Sequence, residues 1–137
     1  MSYALGGALQ AAIYQLLAED TALAALVGTA IYDGLPSGVI PETYVALGAE
    51  VVRDRSDQGG AGALHRLTVS VVSTADGFAT AKAVAAAVSD ALSGALPELA
   101  RGRLVGLWFD RASAKRTGST GQSRRIDMVF RARVEDD

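Results

Sequence analysis

The sequence predicts an α+β fold: a mixed, mostly antiparallel sheet of four to five strands with helices packed on it, in the order α-α-β-β-α-β-β. Apolar and polar residues alternate at 64–73 and 124–135, which is the two-residue period of a strand. Between these stretches Val84, Val88 and Leu92 recur every four residues, which is one face of a helix. Both periods within one short chain indicate helices that cover a sheet.

The N-terminal part of the chain predicts two helices and a connector. Apolar residues at helical spacing, from Leu5 to Leu16, indicate the first helix. Asp20 is expected to cap a second, short helix that ends at Gly28, because its carboxylate can accept hydrogen bonds from the first free amides. A turn-rich connector follows, and residues 30–32 within it are compatible with a short strand.

The middle of the chain predicts a strand, a second strand and a helix. Residues 43–53 favour a strand in which Gly48 marks a bulge or bend. After the strand at 64–73, Asp76 is a candidate N-cap of the long helix. That helix is expected to end at Gly94, since glycine tolerates the left-handed conformation.

Residues 103–110 are apolar on both faces, which predicts a strand in the centre of the sheet, or one with a face against another subunit. Trp108 and Phe109 are therefore predicted to point to opposite faces of the strand. One is expected in the core, and the other either packs in the core or anchors an interface. The polar segments 54–63 and 113–123 are predicted to be mobile loops that order on assembly. The second loop would connect the two strands of a long hairpin. The side chains of its last strand that are predicted to face the core are Ile126, Met128, Phe130, Ala132 and Val134.

Composition limits the class of protein. The length of 137 residues indicates a single domain over 1–137. Cysteine is absent, which excludes disulfides, thiolate metal sites and a cysteine nucleophile, and is consistent with synthesis in the cytoplasm. The sequence has no apolar run long enough for a transmembrane helix, and its first residues lack the basic start of a signal peptide.

Charge is distributed unevenly along the chain. Residues 1–100 hold 10 acids and 4 bases, whereas residues 101–137 hold 9 bases and 5 acids. Two interpretations remain open, namely two differently charged faces of one domain, or charge complementarity between copies in an oligomer. Nucleic-acid binding would favour a basic excess over the whole chain, and the net charge is −2.

The sequence contains no recognisable catalytic or ligand-binding motif. His65, the only histidine, begins a strand and is predicted to be a surface or sheet-edge residue, since no serine or acid is placed beside it by spacing. Neither the glycines at 59–62 nor the GSTG at 118–121 fit a nucleotide-binding motif, because the required helix or lysine is missing. We predict no catalytic residue, no cofactor and no metal site, and therefore no enzyme.

A basic cluster lies on the second polar segment and its shoulders. It could bind phosphate, but an ion-pairing surface for a protein partner or a solvated loop is favoured, because no aromatic residues are interleaved to stack bases. Its members are Arg111, Lys115, Arg116, Arg124 and Arg125.

Four segments in order resemble one protein family: DTALAALVGTAIYDGLPSG, IPETYVALG, HRLTVSVVSTADGFATAKAVAAAVSDAL and RRIDMVFRARVED. Together they are similar to the tail-completion or tail-terminator family of long-tailed phages and phage-like gene transfer agents. The resemblance covers nearly the whole chain. Glu42 and Thr43 separate Pro41 from Tyr44, where the family often places the aromatic residue next to the proline.

The resemblance implies a structural protein of the particle. Members form rings, typically hexamers, that cap the tail tube, stop its polymerisation and provide a docking surface for the head. It implies a homo-oligomer whose partners are the tail tube protein and a head–tail connector or neck protein. DNA would pass through the hole without specific binding, and no membrane is involved. Assembly would take place in the cytoplasm of a bacterial host, and the ring would then lie at the head–tail junction of the particle.

For such a ring we predict that the acidic first part of one copy meets the basic last part of the next, with Trp108 as an apolar anchor. The basic side is the cluster above, and the lumen is expected to be neutral or acidic. The acidic side is Glu50, Asp54 and Asp57. The alternative is a small ligand-binding or regulatory α+β module of ferredoxin-like type, which would form a dimer or tetramer.

Overall fold

The computed structural model describes residues 3–34, 37–56 and 60–136. The helices are α1 (Gly6–Glu19), α2 (Thr21–Val27) and α3 (Ala79–Leu92). The strands are β1 (Ile31–Tyr32), β2 (Thr43–Asp54), β3 (Gly62–Ser73), β4 (Arg103–Thr117) and β5 (Ser123–Glu135). The predicted fold class is confirmed, and β1 is the short strand that the connector allowed.

The five strands form one mixed sheet in the order β1-β2-β3-β5-β4. Only the pair β1 and β2 is parallel, and all other neighbours are antiparallel. β2 carries a register shift between Leu47 and Glu50, as the glycine at 48 predicted. β4 and β5 form the predicted long hairpin.

The predicted bounds of the second loop, 113–123, are wrong. Residues 113–117 belong to β4 and pair with β5, so that only residues 118–122 connect the two strands. Polar side chains do not prevent pairing, because the ladder is built from backbone groups. The first predicted loop is also shorter, since β2 extends to Asp54 and β3 begins at Gly62. Within it, residues 57–59 lie outside the described residues.

β4 lies at the edge of the sheet, so its predicted central position is wrong. Leu104 and Leu107 are buried, whereas Trp108 and Phe109 are 46% and 44% exposed. Two register shifts in β4, at Leu104/Gly106 and Phe109/Arg111, break the simple alternation on which the prediction depended. Phe109 is therefore not a core residue of the subunit. The other interpretation of this strand, a face against another subunit, stays a prediction.

The core lies between the helices and one face of the sheet. The inward side chains of β5 are all buried, as predicted, and they pack with those of β3 and with the Ala/Val face of α3. Burial in β5 alternates from residue to residue, so its second face is turned away from the helices. Among the described residues no helix covers that second face, which we call the open face.

The two predicted N-caps have different outcomes. The amide of Leu23 donates to Asp20 Oδ2 at 2.9 Å, which confirms Asp20 as the cap of α2. Asp76 does not cap α3, because the chain turns at Gly77 (φ +68°) and the helix begins only at Ala79. Gly94 has φ +78° just after the end of α3, as predicted.

Replacement of Asp20 by alanine is expected to lower the free energy of unfolding by about 1 kcal/mol, because the first turn of α2 loses its side-chain acceptor. Asp76→Ala is the matched control and should change it by less than about 0.5 kcal/mol. Urea denaturation followed by circular dichroism measures both values. Equal losses in the two variants would contradict the assignment of the cap.

Candidate functional site

The hairpin of β4 and β5 extends beyond the part of the sheet that the helices cover. In this extension the side chains of β4 are exposed. We call residues 111–125 the basic arm. The arm contains all five residues of the predicted basic cluster and no acid. The strand register places Lys115 opposite Arg125 and Arg116 opposite Arg124. Like charges opposite each other destabilise a strand pair, so the arm suits an external acidic partner better than an isolated subunit.

One acid next to the arm neutralises part of this charge. Arg125 Nε donates to Asp127 Oδ1 at 2.9 Å, and Lys115 Nζ lies 3.9 Å from Asp127 Oδ2. Within the described part of the chain, Arg111 and Arg116 form no ion pair. These two guanidinium groups are therefore available to a partner.

Two of the remaining arginines of the C-terminal part, Arg131 and Arg103, lie on the open face in ion pairs. Asp110 lies between Arg66 and Arg131, 3.8 Å from the Nε atom of each. Arg103 and Glu135 form a second pair, at 2.9 Å. The charged residues of the three helices are two acids and one base, Glu19, Asp90 and Lys82. The structure thus places the basic charge mainly on the open face and the arm.

Glu50, predicted for the acidic side, is bonded within the subunit. Its Oε2 lies 3.2 Å from Nδ1 of His65, and its Oε1 accepts from the hydroxyl of Tyr3. The hydrogen bond from Tyr3 to Glu50 raises the pKa of the Tyr3 phenol above its ordinary value. Glu50 therefore ties the N-terminal segment to β2 and β3.

His65 is fully buried, so its prediction as a surface or sheet-edge residue is wrong. It lies on β3, inside the sheet, and its side chain is on the helix-covered face. The ring of Tyr3 stacks on it with a centroid distance of 6.1 Å. Nothing in the sequence marks this pairing with Glu50, because the register depends on the bulge in β2.

The other acidic candidates lie at the end of β2. Asp54 is exposed and accepts from the hydroxyl of Ser56 at 2.7 Å, which lowers the pKa of its carboxyl group. Asp57 lies outside the described residues. β2 and the β4 half of the arm are on opposite sides of β3 and β5, and the β5 half, with Arg124 and Arg125, is separated from β2 by β3. The structure therefore separates the predicted acidic and basic sides within one subunit instead of bringing them together.

The indole ring of Trp108 lies over Gly106 on the open face of β4. A Cβ atom at position 106 would lie 2.2 Å from its ring, so Gly106 is needed for this position of the indole. The guanidinium of Arg131 lies 5.9 Å from the ring centroid on the neighbouring strand. An exposed, pre-oriented tryptophan is typical of an interface anchor. The role of Gly106 is not among the sequence predictions, although an isolated glycine within a strand signals a close approach.

A cleft of about 640 Å³ lies between α1 and β1. Three of its polar side chains bond within the chain: Tyr14 to the Ile31 carbonyl, Gln10 to Asp33, and Tyr3 to Glu50. The cleft therefore has few free polar groups with which to orient a small ligand. The described residues contain no group of three or more potential metal ligands. Among the same residues, none of the helices is long and apolar enough to cross a membrane.

An exposed tryptophan, a basic arm and unpaired sheet edges are features typical of proteins that associate with other chains. The family model for tail completion protein gp17 matches residues 11–135. The chain therefore belongs to the tail completion protein family and is a structural protein of phage-type tails.

A solved structure described as "Virion of native gene transfer agent (GTA) particle" contains a similar chain. The two chains are 63% identical with a TM-score of 0.92, over 98% of this chain and 99% of that chain. No curated protein matches the sequence.

Proposed function

We propose that this protein forms a closed homo-oligomeric ring, a hexamer, on the end of the tail tube. The whole chain, 1–137, acts as one tail-terminator domain. The ring stops polymerisation of the tube and presents a docking surface to a head–tail connector or neck protein, while DNA passes through its hole. Family membership and the likeness to a chain of a gene transfer agent virion support this role. Assembly in the bacterial cytoplasm would precede incorporation at the head–tail junction of a phage or gene transfer agent particle.

The separation of charge across the sheet carries the proposal. The strand at one edge, β4, holds four bases and one acid, whereas β2, near the other edge, holds two acids and one base. A head-to-tail ring requires two different, complementary patches on each subunit. Pairing of the basic arm with a second arm around a two-fold axis would place like charges together. Opposite charges at the two edges favour the head-to-tail arrangement and help set its register.

Transit of DNA requires a lumen that does not bind phosphates tightly. Free lysine and arginine side chains would bind the DNA backbone and retard it. On the open face, Arg131 shares Asp110 with Arg66, and Arg103 pairs with Glu135. Arginines engaged in this way attract phosphate less strongly. The open face nevertheless keeps a net positive charge, because Arg66 and Arg131 share the single carboxylate of Asp110. A neutral or acidic lumen therefore requires that this face does not line the hole.

Reversal of two arm charges should weaken assembly. In the variant Lys115→Glu, Arg116→Glu, the concentration for half-assembly is expected to rise about tenfold or more, since about 1.4 kcal/mol per interface changes its equilibrium constant tenfold. Lys82→Glu, on α3, is the control and should assemble like the wild type. Sedimentation velocity gives the concentration dependence, and negative-stain microscopy gives the ring.

High salt should act in the same direction as the charge reversal, because exposed ion pairs are screened within a Debye length. Sedimentation of the wild type across salt concentrations tests this point. Two results together would contradict a role of the basic arm: the double variant forms rings at the same concentration as the wild type, and wild-type rings persist in molar salt. Apolar contacts would then build the ring.

A further inference from the structure

We propose that neighbouring copies join through their backbones, by antiparallel addition of the β4 edge of one copy to the β2 edge of the next. The sheet then continues across the subunit boundary. We call this contact the seam. The inference rests on the ring proposed above, and it specifies which surface closes that ring.

Both strands have a free edge of sufficient length. β4 is 15 residues long and pairs with a described strand, β5, on one side alone. β1 covers β2 at Val45 and Ala46 only. Among the described residues, the edge of β2 from Leu47 to Asp54 has no partner strand. Unpaired edges of this kind are templates for pairing with another chain.

The strand directions fit antiparallel addition. Each step from β2 through β3 and β5 to β4 is antiparallel, so β2 and β4 run in opposite directions. Rotation about a ring axis that lies along the strands leaves these directions unchanged. β4 of one copy would therefore meet β2 of the next copy in antiparallel orientation, for which inter-strand hydrogen bonds are straight.

Both edge strands bend at the same level of the sheet. The register shift in β2 ends at Glu50, and the second of the two shifts in β4 begins at Phe109, after the first at Leu104/Gly106. One row of paired residues links these two positions across the sheet: Glu50, Leu67, Phe130 and Phe109. Since a bulge bends its strand, residues 111–117 can diverge from the line of 103–110. Residues 111–117 of one copy can then pass outside β1 of the next copy, which pairs with β2 at Val45 and Ala46, just before the bulge in β2. The seam thus comprises residues 103–110 and 47–54.

Apolar side chains are exposed where the seam would place them together. Val51 is 57% exposed and Trp108 is 46% exposed. Both belong to one row on the open face of the sheet: Val51, Arg66, Arg131 and Trp108. Without an axial offset, the seam makes Trp108 the cross-strand neighbour of Val51 in the next copy. Pairs of an aromatic and a β-branched residue stabilise antiparallel strands. The seam accounts for both exposed side chains.

An engineered disulfide tests the seam. The chain has no cysteine, so Val51→Cys with Trp108→Cys introduces the only two thiols. Within one copy these positions are separated by three strand spacings, about 14 Å at about 4.8 Å each, which is too far for a disulfide. Mild oxidation of the assembled protein should therefore give covalent dimers and larger species up to the ring number. On a non-reducing gel these species should disappear after reduction.

The matched control is Val51→Cys with Phe109→Cys. Phe109 lies beside Trp108 but packs on Phe130, on the helix-covered face. This pair should remain monomeric on the gel. A second measurement uses the unaltered protein: amide hydrogen exchange within 103–110 should slow on assembly. Circular dichroism of both variants verifies that they are folded.

The outcomes separate the seam from the ring. If the wild type forms rings but the pair Val51→Cys, Trp108→Cys gives no covalent ladder, the seam is wrong and the ring stands. If both cysteine pairs give equal ladders, or if exchange at 103–110 is unchanged by assembly, the seam is also wrong. A protein that stays monomeric at all concentrations and salt conditions overturns the ring and the seam together.

Discussion

Replacing Phe130 by alanine is expected to lower the free energy of unfolding by about 3–5 kcal/mol, the usual cost of removing a buried phenylalanine. Phe130 is fully buried on β5, and that strand has neighbours on both sides. The lost ring leaves a cavity between the sheet and the helices, which packed neighbours fill only in part. Urea denaturation at low protein concentration, followed by circular dichroism, measures the loss in the monomer.

Phe109→Ala is the matched control, because the two rings are cross-strand neighbours with centroids 5.8 Å apart. Phe109 is 44% exposed, so it contributes roughly 1–2 kcal/mol, from partial burial and from the edge-to-face contact. Equal losses in the two variants at high dilution would contradict the edge position of β4. If the loss for Phe109 increases with protein concentration, a neighbouring copy covers its ring.

The second large effect is expected at Glu50. Glu50→Ala should lower the free energy of unfolding by about 1–3 kcal/mol, because Nδ1 of the fully buried His65 loses its partner at 3.2 Å. The Nε2 atom of His65 already lacks a hydrogen-bond partner among the described residues. The variant would therefore leave the whole imidazole without a partner, while the hydroxyl of Tyr3 can return to water.

A double-mutant cycle with His65→Leu separates this internal role from a role in assembly. Once His65 is replaced by leucine, removal of the Glu50 carboxylate should cost little, since both partners of the hydrogen bond are then absent. Unfolding of the dilute monomer and sedimentation of the assembled protein are measured for all four chains. Unchanged monomer stability in Glu50→Ala, combined with weaker assembly, would mean that the carboxylate acts between copies.

The sequence by itself determined the local elements of this protein. Alternation identified the inward side chains of β5, and the spacing of Val84, Val88 and Leu92 identified the buried face of α3. The carboxylate of Asp20 marked the start of α2. Each of these features depends on residues a few positions apart, so their physical cause is visible in a short stretch of chain. The ordered segments also carried the family resemblance, which the match over residues 11–135 confirms.

The tertiary structure alone decided which strands are neighbours. An apolar strand such as 103–110 can be central or can lie at an edge, and pairing with β5 on one side alone places it at the edge. The burial of His65 follows from the position of β3 between β2 and β5. These outcomes depend on pairings between segments that are distant in sequence and on bulges that shift the register by one residue. A local hydrophobic pattern does not specify either, because it records which face of a strand is apolar and not what lies beside that strand.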